Sequence, residues 1–220
     1  MALLSKSDAD YLRAHFEQHL VSPVKILLFT RKEGCQYCED TKAILTELSE
    51  LSDKIKLEVY DVDEHPEVAE KYRIWLTPAI AILRSNGEDK DFGIRYFGIP
   101  AGYEFSSLVE DIVNVSKGES GLSDESKAKL AGVKEPVEIK IFVTPTCPHC
   151  PRAVALAHRF AIENENIRSC MIEAIEFPDL SDKYGVYAVP KIVINDTYEF
   201  EGAYPESMFV DEVMKALSMG

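Results

Sequence analysis

At 220 residues the chain has room for one large domain or two of about 110, and 46% hydrophobic with 28% charged residues is the balance of a globular protein. A net charge of −14 argues against nucleic acid, whose binding rests on Lys and Arg neutralising phosphate, and against an anionic membrane surface. The longest apolar runs, such as Ile26 to Phe29 and Ile192 to Ile194, are strand-length, so no bilayer span is read.

The N-terminal stretch MALLSKSDADYLRAHFEQHL turns polar after four residues and lacks the apolar core of a secretory signal, which points to the cytoplasm. Ser5 and Asp8 form a Ser-x-x-Asp cap signal for an amphipathic helix from Ser5 to Leu20. VKILLFT (Val24 to Thr30) predicts a strand. EGCQYCED then sets Cys35 and Cys38 around Gln36 and Tyr37, and a helix is expected to start at the cysteines, with Ile44, Leu45, Leu48 and Leu51 on one face. An apolar strand from Leu57 to Val62, a short helix and the Thr77-Pro78 step come next. Two strands resembling a hairpin and a closing helix from Tyr103 to Val115 complete the series. SKGESGLSDES, from Ser116 to Ser126, is polar and contains Gly and Ser; it is the natural boundary between a unit over 1–118 and a second over 119–220.

The second half repeats the first. Cys35 and Cys147 stand 112 residues apart, as do Cys38 and Cys150, and the same step lays KYRIWLTPAIAI onto KYGVYAVPKIVI. VEIKIFVT (Val137 to Thr144) is the matching strand. Ala153, Leu156, Ala157 and Phe160 form the matching helix face, Met171 to Ile175 the next strand, and Pro205 to Leu217 the closing helix. Asp61 falls on Glu173. A strand–helix–strand crossover followed by a hairpin predicts a mixed sheet in each unit, flanked by helices. The fold class is therefore α/β, two tandem units.

A Cys-x-x-Cys pair opening a helix behind a buried strand has a chemical logic. First-turn N–H groups lack partners and the helix dipole puts partial positive charge there. A thiolate at that point is stabilised, its pKa falling from about 8.5 towards ~3.5–7.5. The first cysteine, more exposed, is the nucleophile, and the second, one turn inward, resolves the mixed disulfide. That assigns Cys35 and Cys147 to attack, and Cys38 and Cys150 to resolution. Pro78 and Pro190 each stand 43 residues after a nucleophile and must begin a strand or sit in a turn, since proline offers no ladder N–H. Gln36 and Tyr37 carry no formal charge. In the second pair, Pro148 and His149 lie between the cysteines, where an imidazole should tune Cys147 towards the lower pKa and the more oxidising disulfide.

This order of elements resembles the thioredoxin fold, glutaredoxin-like in detail. Both halves together, through FVTPTCPHCPRAVALAHRFAIEN, VPKIVI, FEGAYPE and RYFGIPAGYEF, resemble the protein disulfide oxidoreductases of thermophilic archaea and bacteria. The resemblance implies tandem thioredoxin-like units and cis peptide bonds at Thr77-Pro78 and Val189-Pro190, with each proline facing its CxxC. It also implies that the backbone of Thr77 and Val189 pairs with substrate. The substrates would be protein disulfides or dithiols. The electron donor would be a flavin-containing reductase, and no cofactor or metal is bound. A thermophilic source fits the two glutamines beside abundant Glu and Lys. Two departures stand out. Phe29 and Ile141 replace the buried carboxylate that thioredoxins keep six residues before the nucleophile, so the base for the resolving cysteine is unassigned. The glutathione-binding acidic turn of glutaredoxins is missing after Ile194.

Plainer readings compete. One zinc site would need ligands closer together than Cys38 and Cys147. His15 and His19 have metal-ligand spacing but no third ligand, and His65 and His158 are read as structural. Cys170 is read as a buried inert thiol. Trp75 and Tyr187, matched three residues before the prolines, are read as core, with the rim of the site second. Rival functions are a chaperone-like client-binding module with secondary thiols, and an electron relay serving one peroxidase.

Overall fold

The computed structural model describes residues 4–219; Met1 to Leu3, part of the stretch read for a secretory signal, lie outside them. The first unit runs α1 (Lys6–His19), β1 (Val24–Thr30), α2 (Cys38–Ser49), β2 (Ile55–Asp61), α3 (Pro66–Lys71), β3 (Ala79–Asn86), β4 (Glu88–Phe97) and α4 (Glu104–Lys117). The second runs α5 (Asp124–Leu130), β5 (Val137–Val143), α6 (Cys150–Glu163), β6 (Ile167–Glu173), α7 (Pro178–Lys183), β7 (Lys191–Ile194), β8 (Tyr198–Glu201) and α8 (Glu206–Met219). From α2 to β3 the 112-residue step carries each element onto its partner, Cys38 to Cys150, Ile55 to Ile167, Pro66 to Pro178 and Ala79 to Lys191.

Local chemistry explains the starts. The Ser5 hydroxyl accepts from the Asp8 N–H, capping α1, and Ser123 caps α5 in the same way through Ser126. Proline stands in the first turn of α3, α6 and α7, where a missing N–H costs nothing. Two boundaries depart from expectation. The segment read as a polar linker is largely ordered: α4 continues to Lys117, ends on Gly118 in the left-handed conformation, and α5 begins at Asp124. Strands β2 and β6 begin earlier than read, at Ile55 and Ile167, because backbone pairing with β1 and β5 extends past the apolar run.

The strands form one eight-stranded mixed sheet in the order β2-β1-β3-β4-β6-β5-β7-β8. The units join through β4 and β6, parallel over Ile94–Phe97 and Ser169–Ile172. The first hairpin has strands of eight and ten residues, the second only four and four. The long β4 reaches the second unit. The short outer β8, bearing Glu199 and Glu201, is a poor template for further pairing.

One face of the sheet carries the larger core, where Phe16 of α1, Leu45 and Leu48 of α2, Leu108 and Ile112 of α4, Phe160 of α6 and Phe209 of α8 are all fully buried. Each such side chain contributes about 1.5–3 kcal/mol by burial. The opposite face holds a thinner core under α3 and α7, around Phe29, Phe97, Phe142 and Cys170. No helix of the described residues is long and apolar enough to cross a membrane.

Candidate active sites

Both cysteine pairs lie where a buried strand hands over to a helix. Cys35–Cys38 and Cys147–Cys150 are disulfides, each with Cα atoms 5.5 Å apart. The helices begin at the second cysteine of each pair, not the first. Residues 31–37 in the first unit and 144–149 in the second turn the chain out of the strand, with Gly34 at φ +74° in the first. Cys35 is half-buried and Cys38 3% exposed, while Cys147 is 8% exposed and Cys150 fully buried. The outer cysteine thus rests over the free N–H end of its helix.

The second pair shows this contact directly. The Cys150 N–H donates to Cys147 Sγ at 3.1 Å, and Cys147 N–H donates to Thr144 O at 3.1 Å. Pro148 and His149 are exposed; His149 stands at the N-cap of α6 and its side chain makes no capping bond. In the first pair Gln36 is exposed and Tyr37 half-buried, its carbonyl accepting from the N–H and hydroxyl of Thr41.

The Thr77–Pro78 and Val189–Pro190 bonds are both cis. Val189 O lies 3.7 Å from Cys147 Sγ, which brings the second proline loop against its CxxC. Pro78 O accepts from Gly98 N–H and Pro190 O from Gly202 N–H, each at 2.9 Å. Trp75 and Tyr187 are not core residues: they are 43% and 95% exposed. Both lie in the loops that precede the two cis prolines, at the end of the sheet. Trp75 packs on Phe97, ring centres 4.8 Å apart, and borders a cavity of about 420 Å³ with Arg31, Glu70 and Thr77.

Phe29 and Ile141, six residues before Cys35 and Cys147, are fully buried apolar residues, so no carboxylate occupies either position. Buried carboxylates stand instead on α4, which packs against α6. Tyr103 N–H donates to Pro145 O at 3.0 Å, and a Cβ on Gly102 would stand 2.2 Å from that oxygen, so glycine permits the approach. Two turns on, Asp111 Oδ2 meets His158 Nδ1 at 2.5 Å, both residues fully buried, and also accepts from the Tyr96 hydroxyl. Helices α4 and α6 therefore pack side by side, joined by the Asp111–His158 contact.

Glu104 is 1% exposed and its Oε2 accepts from Ser107 Oγ at 2.8 Å, while Oε1 has no partner. Burial pushes its carboxyl up to about 7, with the nearby Asp111 charge adding to the rise and the Ser107 bond opposing it. Burial likewise raises the Tyr96 phenol well above its usual range, with Asp111 adding to it. Sequence reasoning missed Glu104 because a Glu in the first turn of a helix reads as a solvent-facing dipole partner. In the fold it is buried. Glu176, whose Oε1 accepts from Ile99 N–H at 2.5 Å, is also pushed up to about 7 by burial.

Cys170 is fully buried, and burial pushes its thiol up to about 11. The His15 and His19 rings are 4.6 Å apart, and no group of three or more metal-ligating side chains forms among the described residues.

Two bridged CxxC pairs, each at a strand-to-helix turn and accompanied by a cis-proline loop, define a thiol–disulfide redox protein of two tandem thioredoxin-fold units. A model of the thioredoxin domain matches residues 23–93 and 137–215. The chain is similar to a protein disulfide oxidoreductase from Aeropyrum pernix K1, at 38% identity and a TM-score of 0.88, covering 96% of this chain and 93% of that one. The NTD_N/C domain of the alkylhydroperoxide reductase AhpF from Enterococcus faecalis is 27% identical at a TM-score of 0.87, covering 96% and 99%. An alkyl hydroperoxide reductase component of Staphylococcus epidermidis is 32% identical over 147 residues, 65% of this chain but 27% of that protein. The chain spans roughly a quarter to a third of the length of the curated relatives it matches (25% and 34% of the first two). It belongs to the thioredoxin-domain family, and within it to the protein disulfide oxidoreductases.

Proposed function

We propose that the chain exchanges disulfides with protein substrates through mixed disulfides at two sites, with Cys35 and Cys147 as nucleophiles and Cys38 and Cys150 as resolving thiols. The observation that carries this reading is the bridging of both pairs across a helix start, with the outer cysteine of each pair the more exposed. In reduction, the Cys147 thiolate attacks one sulfur of a client disulfide, forms a mixed disulfide and releases one client thiolate. Cys150 then attacks the Cys147 sulfur, frees the second client thiolate and leaves the pair oxidised. Two electrons pass to the client; the reverse sequence forms or, in combination, reshuffles its disulfides. The same steps apply at Cys35 and Cys38.

Thr77 and Val189 present backbone groups to the client beside Pro78 and Pro190; the contact between Val189 O and Cys147 Sγ supports this role. Gln36, Tyr37, Pro148 and His149 tune the nucleophiles. Glu104 receives the Cys150 proton, a role supported by its burial on α4 and by the packing of α4 against α6, the helix that Cys150 opens. The units divide at 118/119. A flavin-containing reductase returns the electrons, in keeping with similarity to part of a longer reductase chain. Replacing all four paired cysteines by serine should abolish disulfide turnover. Survival of that turnover would refute the reading; survival of aggregation suppression alone would mark chaperoning as independent of the thiols.

A second reading, electron relay to one peroxidase, is favoured by the likeness to the AhpF domain. Mixing the reduced chain separately with a peroxidase disulfide and with unfolded, disulfide-bonded proteins distinguishes them. Transfer at least ~10-fold faster to the peroxidase alone would select the relay, since that factor is about 1.4 kcal/mol of barrier.

A further inference from the structure

The two units are related by a translation along the sheet. Strand β1 is antiparallel to β3, β3 to β4, and β4, β6 and β5 are mutually parallel, so β1 and β5 run in the same direction. Both cysteine pairs follow the C-terminal ends of these strands, so both lie at the same end of the sheet. Leu45 of α2 and Phe160 of α6 share one core, so the pairs also lie on the same face. Four strand spacings separate β1 from β5, about 19 Å at ~4.8 Å each, with twist turning the second site by about 80–100°.

The ground between the sites is held to both. The segment from Gly98 to Tyr103 is bonded at one end to Pro78 O and at the other to Pro145 O, and its Ile99 N–H is fixed by Glu176. Beside it, at the end of β6, Ile175 is 69% exposed, and Trp75, 43% exposed, packs on Phe97 at the end of β4; Tyr187 stands on the far side of β5, before β7. A peptide reaching from one nucleophile to the other crosses fixed backbone and exposed apolar side chains.

We infer that one extended, non-native polypeptide carrying two or more cysteines is engaged by Cys35 and Cys147 at the same time, across this end of the sheet. The inference rests on the oxidoreductase reading above. An extended chain covers about 3.3–3.6 Å per residue, so the bridge needs at least about six residues between engaged cysteines, and more once the twist is followed. Short separations let the client reach only one site. The second engagement is intramolecular, at an effective concentration in the millimolar range for a flexible spacer of adequate reach.

The test uses the full chain with Cys38→Ser and Cys150→Ser, which traps mixed disulfides. The probes are unstructured peptides with two cysteines, each activated as its thionitrobenzoate disulfide, separated by 2, 12 or 20 residues. At each site the cysteine thiolate attacks the peptide sulfur, the new protein–peptide disulfide forms, and thionitrobenzoate leaves with the electron pair. No other oxidant is needed. Cys170, fully buried, stays out of the reaction. The longer peptides should give a 1:1 complex with two equivalents released, the second at least ten times faster than attachment of a second peptide at micromolar concentration. The shortest should give 1:2 complexes. One-to-two complexes at every spacing, with both sites reactive, overturn the inference. Absence of reaction at Cys35 and Cys147 alike instead sinks the oxidoreductase reading.

Discussion

A carboxyl held up to about 7 by burial binds its proton more tightly in the folded chain than in the unfolded one, where 4.5 is its ordinary value. Between those values the folded state carries more protons, so this contribution is complete below about 4.5 and is lost as pH rises through about 7. Glu104→Gln should therefore flatten the fall in unfolding free energy between pH 4.5 and 8 by about 3 kcal/mol, measured by denaturant titration. An unchanged slope would mean that Glu104 is ionised in the folded protein. The same substitution, with the first pair replaced by serine, should slow release of the mixed disulfide by about 10²-fold, as loss of a general base does, and leave Cys147 alkylation unchanged. At the outer cysteine of the second pair, the N–H of Cys150 directed at Cys147 Sγ favours a thiolate there. Alkylation against pH, in variants keeping one pair each, should find Cys147 titrating below Cys35, with His149→Ala moving it upward. The opposite order would remove the reason for expecting the second site to be more oxidising.

The seam between α4 and α6 ties an element of each unit to the second site. Asp111 there is the shared partner of Tyr96 and His158, all three buried. Removing it leaves the buried His158 ring nitrogen and the Tyr96 hydroxyl without their shared partner, so Asp111→Ala should cost about 1–3 kcal/mol for each group left unsatisfied, read in a denaturation experiment. Tyr96→Phe, which removes one hydrogen bond, should cost about 1–2 kcal/mol. A loss under about 1 kcal/mol for Asp111→Ala would show that the pair is not desolvated. Gly102 is the tight point of the same contact, at φ +61° and against Pro145 O. Gly102→Ala should lower stability by at least ~1–2 kcal/mol from the left-handed backbone alone. Because Pro145 leads into Cys147, reactivity of the second pair should suffer and that of the first should not.

At the scale of the molecule, the parallel join of β4 to β6 and the α4–α6 seam should make the two units unfold as one cooperative body. Calorimetry should show a single unfolding transition whose calorimetric and van't Hoff enthalpies agree. Residues 119–220 alone would expose the β6 edge and the apolar side of α6, and should associate or remain unfolded. Two well-separated transitions in the intact chain would contradict this.

The sequence alone determined the elements and their duplication. Strand and helix patterns are local, set by alternation and by the spacing of residues such as Leu45 and Leu48, and a 112-residue repeat of cysteines and prolines survives without any structure. The cysteine pairs were visible for the same reason, since three-residue spacing is a property of the chain. Tertiary structure decided the rest. Glu104, Asp111 and His158 look like ordinary helix residues in sequence, yet all three are buried in the fold, where Asp111 meets His158 as α4 packs on α6. Tyr187 and Trp75 look like core aromatics, yet both stand exposed in the loops before the cis prolines. Whether the units would stand apart or share a sheet rested on the length of one hairpin. Its significance appears only when β4 meets β6, because pairing between distant segments leaves no periodic trace in either.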